Sequence, residues 1–436
     1  MIEEEEQFNL IKKFMKMKNQ SKLQIDSFNH FLNFGIQKIF EVNNTLEINC
    51  DFFDYIIKFS NPMIDKPYTI DDNRMIKYMT PNECRLRDIS YDSVLSINID
   101  EIKVDKDNKV LDHKIHNKIP IARIPIMLGC DKCILNNKSK EKLIEMGECI
   151  YDNGGYFIIK GNERVLVSQE RINYNTVYTF KQKLTQKYSY ITEIRSMYTE
   201  SGYSSLIQIK LLHNDMYINL PHLKEQIPIG ILLCVYGYDD DYIIENINNK
   251  YSYSIVKQKF DMNQEDCKRY LIKSSIQLIP NEEKEEFLEN LLYNNIFPHL
   301  NEMNDKKLYG EHIIYMIKLL IKTSEGEIEP DDRDHISNKR CETSGILVHD
   351  ILRSLWKKLL KNLDNLLQKR QDIMLMLNRT NSISQGIKQC FSTGNWSIFK
   401  NTYVRTGVSQ ILNRLSYSGT LSHLKRLVIP VGKEGK

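Results

Sequence analysis

The chain has 436 residues, of which 41% are hydrophobic and 27% are charged, and its formal net charge is +3 at pH 7. These values are typical of a globular protein with a buried core, and the length suggests two to four domains. No uninterrupted apolar run approaches the roughly 20 residues that a membrane-spanning helix needs. The N-terminus, Met1–Glu6, is acidic, unlike the basic and apolar start of a secretory signal, so we expect an intracellular protein.

The hydrophobic pattern predicts a helical N-terminal region followed by strands. Apolar residues recur at helical spacing through Gln7–Phe40, and short alternating segments over Leu46–Ile102 indicate strands. Two prolines interrupt the apolar run Ile119–Leu128, which favours an edge strand or an extended segment. Gly154–Gly161 has the pattern of a strand with glycine turns at both ends, and Val165–Val167 that of the next strand.

A mixed region follows over residues 193–340, where we expect strands near Ser205–Leu212 and a helix over Asn281–Tyr293. From Leu347 to Leu377 the apolar period is clearly helical, and lysines fill the opposite face. The predicted fold class is therefore α+β, in two or three connected domains.

Nine cysteines are scattered singly along the chain, which indicates a reducing compartment and not a disulfide framework. One pair, Cys130 and Cys133, has the spacing of metal ligands. No second pair completes four ligands, and the nearest other candidates are Cys149, His113 and His116. We therefore interpret the pair as two small residues that pack near a strand end, and we expect the chain to bind no zinc.

No catalytic motif is recognisable in the sequence. It has no phosphate-binding GxxxxGK[ST] loop, no GxGxxG after a strand and no GxSxG nucleophile turn. The acidic run from Glu325 to His335 could suggest Mg²⁺, but consecutive carboxylates need a rigid loop to converge on one ion. We favour a charged turn that enters a helix, and we predict no catalytic residue in the chain.

The C-terminal segment is the most basic part of the chain. Asn395–Lys436 holds seven basic residues and one acidic residue, a net charge of +6, which leaves −3 on the other 394 residues. Glycine turns near Gly394 and in Pro430–Lys436 flank Val408–Leu424, where polar and basic residues alternate with apolar ones. Such a surface suits a nucleic-acid backbone, whereas charge alone leaves an ordinary solvated face as an equal alternative.

The sequence resembles the second-largest (beta-type) subunit of multisubunit DNA-dependent RNA polymerases of the eukaryotic, archaeal and nucleocytoplasmic-virus type. The strongest signatures are GGYFIIKGNERVLVSQER at Gly154–Arg171 and GVSQILNRLSYSGTLSHLKRLVIPVGKEGK at Gly407–Lys436, with TGNW just before the second. Four further motifs occur in the order of the family: LQIDSFNHF (Leu23–Phe31), PNECRLRDISY (Pro81–Tyr91), RIPIMLGCDKC (Arg123–Cys133) and DDRDHISNKR (Asp331–Arg340).

The resemblance covers nearly the whole chain and implies the N-terminal portion of such a subunit. The implied fold is an α+β protrusion domain with an inserted lobe domain, followed by the start of the fork. Residues 1–190 correspond to the first part of the protrusion, 191–340 to the lobe, 341–392 to the return of the protrusion and 393–436 to an incomplete fork. In the family these domains line the cleft that holds DNA and the RNA–DNA hybrid.

The resemblance also implies where the nucleic acid binds. The two fork loops correspond to Asn395–Arg405 and to part of Pro430–Lys436, and the RNA-side motif positions fall on Ser409–Gln410 and His423–Arg426. The predicted nucleic-acid-binding residues are Arg405, Gln410, His423, Lys425, Arg426, Lys433 and Lys436.

The chemistry of nucleotidyl transfer is expected outside this sequence. The resemblance implies that the largest subunit holds the catalytic Mg²⁺, and that the C-terminal half of the second-largest subunit carries the active-site lysines and the zinc module. This chain alone should therefore not incorporate nucleotides.

The expected partners are the largest subunit, the C-terminal half, the other polymerase subunits, the DNA template and the RNA–DNA hybrid, and no membrane. The expected location is the nucleus, or the host cytoplasm or virion for a viral chain. The alternative function is that of a non-enzymatic remnant or interaction protein derived from the subunit.

Overall fold

The computed structural model describes residues 4–17, 21–49, 53–70, 75–105, 110–183, 185–200, 202–247, 249–260, 262–275, 280, 283–303, 305–370, 373, 377, 381–396 and 405–429. The chain divides into two compact units, each with its own hydrophobic core. The first unit comprises Met1–Arg171 and Cys341–Lys436, and the second, inserted in sequence, comprises Ile172–Arg340. Within the described residues, no helix has both the length and the apolar character needed to cross a membrane.

The first unit begins with helices. Their bounds are α1 (Glu4–Met17), α2 (Lys22–His30), a π-helix (Phe31–Gly35) and α3 (Ile36–Val42). The helical prediction for Gln7–Phe40 is thus confirmed for the described residues, although α1 and α2 are separate helices. The apolar side of α2 packs into the core, where the Phe28 and Phe157 rings meet edge to face with their centroids 5.3 Å apart.

An antiparallel sheet follows, with strand order β1-β2-β5-β6. Its strands are β1 (Thr45–Asn49), β2 (Phe53–Ile64), β5 (Asp92–Asp105) and β6 (Val110–Pro125), and β3 (Tyr68–Ile70) pairs separately with β4 (Ile76–Tyr78). The short helices α4 (Pro81–Leu86) and α5 (Lys140–Glu145) lie in the connections. The strands predicted over Leu46–Ile102 are confirmed, and the proline-containing β6 lies at the end of the sheet, as predicted for an edge strand.

The glycine-bounded motif forms a hairpin of β7 (Phe157–Ile159) and β8 (Asn162–Leu166), followed by β9 (Ser168–Ile172). Gly161 in the turn has φ +73°, and a Cβ there would lie 2.4 Å from Asp88 Oδ1, so this turn requires glycine. Segments distant in sequence join these strands: β16 (Ser409–Ile411) pairs with β8, and β15 (Lys339–Glu342) and β17 (Leu427–Val428) flank β9. The C-terminal segment is therefore built onto this motif.

Three further helices of the first unit have both ends within the described residues. They are α12 (Ser344–Arg370), α13 (Ser382–Thr393) and α14 (Tyr417–Leu424). The helix predicted from Leu347 is confirmed as far as Arg370, and its buried Trp356 packs on Phe40 and Phe59 at centroid distances of 4.5 and 5.0 Å. On the opposite face Lys358 is exposed, but Lys357 is half-buried, so the predicted lysine face is only partly solvated.

The second unit packs helices against an antiparallel sheet of order β10-β11-β12-β13-β14. Its strands are β10 (Val177–Lys181), β11 (Tyr190–Met197), β12 (Ser204–Leu212), β13 (Asp215–Asn219) and β14 (Ile227–Pro228). Its helices are α6 (Ile229–Val235), α7 (Asp240–Ile247), α8 (Lys250–Lys257), α9 (Gln264–Lys273), α10 (Lys284–Glu289), a π-helix (Asn290–Asn295), a 3₁₀ helix (Pro298–Met303), α11 (Lys306–Glu325) and a 3₁₀ helix (Ile336–Asn338).

Both elements predicted in the mixed region are present, which agrees with the α+β class. Strand β12 matches the prediction near Ser205–Leu212, and α10 with its π-helix matches the predicted helix, although Asn281 lies outside the described residues. The acidic run begins where α11 ends at left-handed Gly326 and continues as a loop into a 3₁₀ helix. Asp331 is held there, because its carboxylate accepts from Thr179 N at 2.7 Å.

Candidate nucleic-acid interface

Glu163 on β8 ties the C-terminal segment to the body of the first unit. One of its carboxylate oxygens accepts from Arg85 Nε of α4 at 2.8 Å, and the other accepts from Arg414 Nε at 2.7 Å. Glu163 is mostly buried, whereas the Arg414 side chain keeps 41% of its exposure. One carboxylate therefore bridges two arginines that are far apart in sequence.

Further charged partners surround the same two arginines. Arg85 also binds Glu148 at 2.9 Å, and Arg414 Nη2 donates to Asp152 Oδ2 at 3.0 Å. The Arg414 guanidinium lies 4.9 Å from the centroid of the Tyr156 ring, whose hydroxyl donates to Asp152 at 2.6 Å. Burial opposes the charge of Arg414, but these partners raise its pKa. Arg414 is thus a charged residue that holds the segment and is already paired.

Arg405, at the start of the C-terminal segment, pairs with a carboxylate of the first unit as Arg414 does. Its guanidinium pairs with Glu342, a buried carboxylate whose other oxygen accepts from Arg171 Nε at 2.7 Å. Its carbonyl accepts from Trp396 N at 2.7 Å, next to the turn at left-handed Gly394. The structure therefore places this predicted nucleic-acid ligand in an internal ion pair, with a quarter of its side chain exposed.

Gln410 and His423, both predicted nucleic-acid ligands, bind each other. Asn413 N donates to His423 Nδ1 at 3.1 Å, which leaves the imidazole proton on Nε2, and Nε2 donates to Gln410 Oε1 at 3.0 Å. Gln410 in turn donates to the Gly407 carbonyl at 3.0 Å. His423 is only 4% exposed, and burial and the charge of Arg426 lower its pKa. These two residues therefore hold the shape of the segment.

Lys425 and Arg426 follow directly at the end of α14, and both side chains are exposed. Lys425 is the C-cap residue of the helix, where a positive charge is favourable because the last carbonyl groups carry partial negative charge. The buried His423 and Leu424 just before them anchor the helix end. This turn presents two cations on a backbone that its neighbours hold in place.

The other predicted contacts lie outside the described residues. They are Lys433 and Lys436, together with the loop Pro430–Lys436 and residues 397–404 of the loop Asn395–Arg405.

The thiols of Cys130 and Cys133 are buried in the connection between β6 and α5. Burial raises the pKa of both thiols, and Tyr91 donates to the Cys133 sulfur at 3.6 Å. In the part of the chain that the structure describes, no group of three or more His, Cys, Asp or Glu residues is arranged to hold a metal ion.

Sequence reasoning missed the network of Arg85, Glu163 and Arg414. All three lie within motifs that carry the resemblance, so their position in those motifs was the available signal. Their pairing was not visible, because they come from three separate parts of the chain.

Comparison with known proteins identifies the class of protein to which the chain belongs. A sequence model described as RNA polymerase beta subunit matches residues 19–385. A probable DNA-directed RNA polymerase II subunit RPB2 homolog of Invertebrate iridescent virus 3 is 31% identical over 98% of this chain and 42% of its own length. DNA-directed RNA polymerase II subunit RPB2 of Encephalitozoon cuniculi is 31% identical over 99% of this chain and 40% of its own length.

DNA-directed RNA polymerase II subunit 2 of Arabidopsis thaliana is 30% identical over the whole of this chain and 40% of its own length. The chain therefore spans about two-fifths of the length of these relatives. The match over residues 19–385 covers most of the chain, and the chain belongs to the RNA polymerase beta subunit family.

Proposed function

We propose that this chain is the N-terminal part of the second-largest subunit of a DNA-directed RNA polymerase, and that it lines the cleft for DNA and the RNA–DNA hybrid. The observation that carries the proposal is the exposed cationic turn Lys425–Arg426 in a member of this family, held by buried neighbours. Backbone phosphates attract such cations irrespective of base sequence.

In this proposal the protrusion comprises 1–190 and 341–392, the lobe 191–340 and the start of the fork 393–436. The partners are the largest subunit, the C-terminal half of this subunit, the other polymerase subunits, the DNA template and the RNA–DNA hybrid. Nucleotidyl transfer takes place in the assembled intracellular enzyme, where the largest subunit supplies most of the Mg²⁺ ligands. This chain contributes binding and positioning.

In this proposal, the predicted ligands that lie among the described residues form two groups. Lys425 and Arg426 face solvent and are the proposed direct contacts. Arg405, Gln410 and His423 hold the segment through internal partners, so their replacement acts on stability first.

The test replaces Lys425 and Arg426 by alanine in a polymerase assembled with the largest subunit and the C-terminal half. We expect weaker hybrid retention and a smaller dependence of log K on log salt, by about 0.7 to 0.9 per lost phosphate contact. Sequence preference should not change, and the melting temperature should fall by no more than a few degrees, because both side chains are exposed and only the favourable charge at the C-cap of α14 is lost.

The matched control replaces Lys358 and Lys361, which are exposed on α12, by alanine and should alter none of these quantities. An unchanged salt slope with a lower melting temperature would show that Lys425 and Arg426 are structural. If the assembled enzyme with the unaltered chain incorporates no nucleotides, the non-enzymatic alternative is favoured.

A further inference from the structure

Two lysines of the second unit share one tyrosine ring. The ammonium of Lys187 lies 5.5 Å from the centroid of the Tyr188 ring, and the ammonium of Lys210 on β12 lies 5.4 Å from the same centroid. By the sum of these distances, the two ammonium groups are at most about 11 Å apart. The Tyr188 hydroxyl donates to Gln226 Oε1, which holds the ring in place. Two positive charges are thus kept close together around one aromatic ring.

Neither ammonium forms an ion pair with a carboxylate among the residues that the structure describes. Other lysines of the unit do, such as Lys259 with Asp240 at 3.3 Å. Lys210 is half-buried, and burial lowers its pKa, while the charge of Glu193 acts in the opposite direction. A partly desolvated cation without a paired anion is unfavourable, so a bound anion would stabilise this arrangement.

The charge of the second unit is unevenly distributed along its sequence. Residues 172–224, which include β10 to β13, hold six basic and three acidic residues, whereas residues 225–340 hold 14 basic and 22 acidic residues. Lys181 and Lys183, at the end of β10 and just after it, are exposed like Lys187. Lys210 lies beside this turn, because it pairs in register with the second residue of β11. The cations therefore concentrate at one end of the sheet.

The separation of the two ammonium groups suits an extended acidic peptide. Residues of an extended chain rise by about 3.3 Å each, so carboxylates two or three residues apart lie about 7–10 Å apart. A nucleic acid carries phosphates along its whole length and needs a longer cationic track. The excess of acidic residues over 225–340 does not continue such a track. A short acidic segment therefore fits this surface better than a nucleic acid.

We propose that Lys187, Tyr188 and Lys210, together with Lys181 and Lys183, form a binding surface for an extended acidic segment of a partner protein. The two central lysines pair with two carboxylates of that segment, and Tyr188 keeps their ammonium groups in position. The surface is independent of the function proposed above, because it depends only on contacts within the second unit.

The test measures the binding of a fluorescein-labelled decaglutamate peptide to the full chain by fluorescence anisotropy at low salt. We expect the double variant Lys187→Gln, Lys210→Gln to bind about tenfold more weakly, because two charge-assisted contacts are lost. Added salt should weaken binding to the unaltered chain, because it screens exposed charges. A decaglutamine peptide should not bind.

The matched control replaces Lys257 and Lys307, which are exposed on α8 and α11 of the same unit, by glutamine and should leave the affinity unchanged. Lys210→Arg keeps the charge and should retain most of the affinity, which separates the loss of a cation from a change in the fold. Circular dichroism of each variant confirms that it is folded.

Four results would overturn the proposal. One is the absence of peptide binding to the unaltered chain. Another is an equal loss in both double variants, which would mean that the peptide responds only to net charge. A third is a loss with Lys425→Ala, Arg426→Ala but not with Lys187→Gln, Lys210→Gln, which would place the peptide on the C-terminal segment. The last is an oligothymidylate that loses as much affinity in the Lys187→Gln, Lys210→Gln chain as the peptide does, which would identify a nucleic-acid surface instead.

Discussion

Helix α12 and the C-terminal segment, residues 405–429, belong to the same unit but are held by different forces. The buried face of α12 is apolar, with Leu352, Leu355, Trp356 and Leu359 each at most 3% exposed. The C-terminal segment exposes Leu415 to 94%, although Val408 and Leu412 are buried and strands β16 and β17 pair with the body. Ion pairs of Arg405 and Arg414 add to this attachment, and the Gln410–His423 pair fixes the shape of the segment itself. Apolar burial is non-directional, whereas ion pairs and hydrogen bonds require one geometry.

This difference explains how a basic turn can be both exposed and ordered. A segment held by apolar packing has to bury its apolar side chains, so its charged side chains are limited to the surface that stays exposed. A segment that is held partly by directional polar contacts can leave more of its surface exposed to a partner. Unpaired buried charges are costly, so each of these contacts depends on its partner.

The largest effect is expected in the apolar part. Trp356→Ala should lower the free energy of unfolding by about 3–5 kcal/mol, because a fully buried ring system is removed and a cavity remains. Urea unfolding of the full chain measures this change. Lys358→Ala on the exposed side of the same helix should stay within about 0.5 kcal/mol. A similar loss in both variants would show that α12 is not held by its apolar face.

A smaller effect is expected when the bridging carboxylate loses its charge. Glu163→Gln should destabilise the first unit by about 2 kcal/mol, less than for a fully buried pair because Arg414 is partly exposed. Limited proteolysis within residues 405–429 should become faster before the core unfolds. Glu265→Gln, which affects only an exposed pair with Arg269, is the control and should change neither quantity. Unaltered proteolysis in Glu163→Gln would show that the bridge does not hold the segment.

The smallest expected effect is a dependence of the stability of the C-terminal segment on pH. Burial and Arg426 lower the pKa of His423 in the folded chain, so the unfolded chain takes up the proton first as pH falls. The contribution of neutral His423 is therefore complete above its ordinary pKa of about 6.5 and is lost as pH falls below that value. Proteolysis of the C-terminal segment should accelerate modestly, a few-fold, between pH 7 and pH 5.

His423→Gln should weaken this pH dependence. Cleavage within residues 405–429 is the appropriate measurement, because burial also lowers the pKa of His312 to about 4 in the second unit and makes global unfolding pH-dependent. An identical pH profile in the wild-type and the His423→Gln chains would exclude His423 as the titrating group.

Much of the fold was predictable because it depends on periodic apolar patterns. The α2–α3 region, β12 and α12 all appeared where the spacing of apolar residues predicted them, and the proline-bearing β6 proved to be at the sheet edge. The family was also predictable, because six motifs occur in one order. The roles of Arg405, Gln410 and His423 were not predictable from the sequence. A residue type that suits phosphate binding suits an internal ion pair or hydrogen bond equally well.

The sequence by itself determined the α+β class, most elements and family membership, because local periodicity and ordered motifs are properties of the linear chain. Only the tertiary structure decided which arginine meets which carboxylate. Glu163 meets Arg85 and Arg414, and Glu342 meets Arg171 and Arg405, from positions that are distant along the chain. Such pairs have no sequence period, because their geometry arises only when strands and helices from separate segments have packed together.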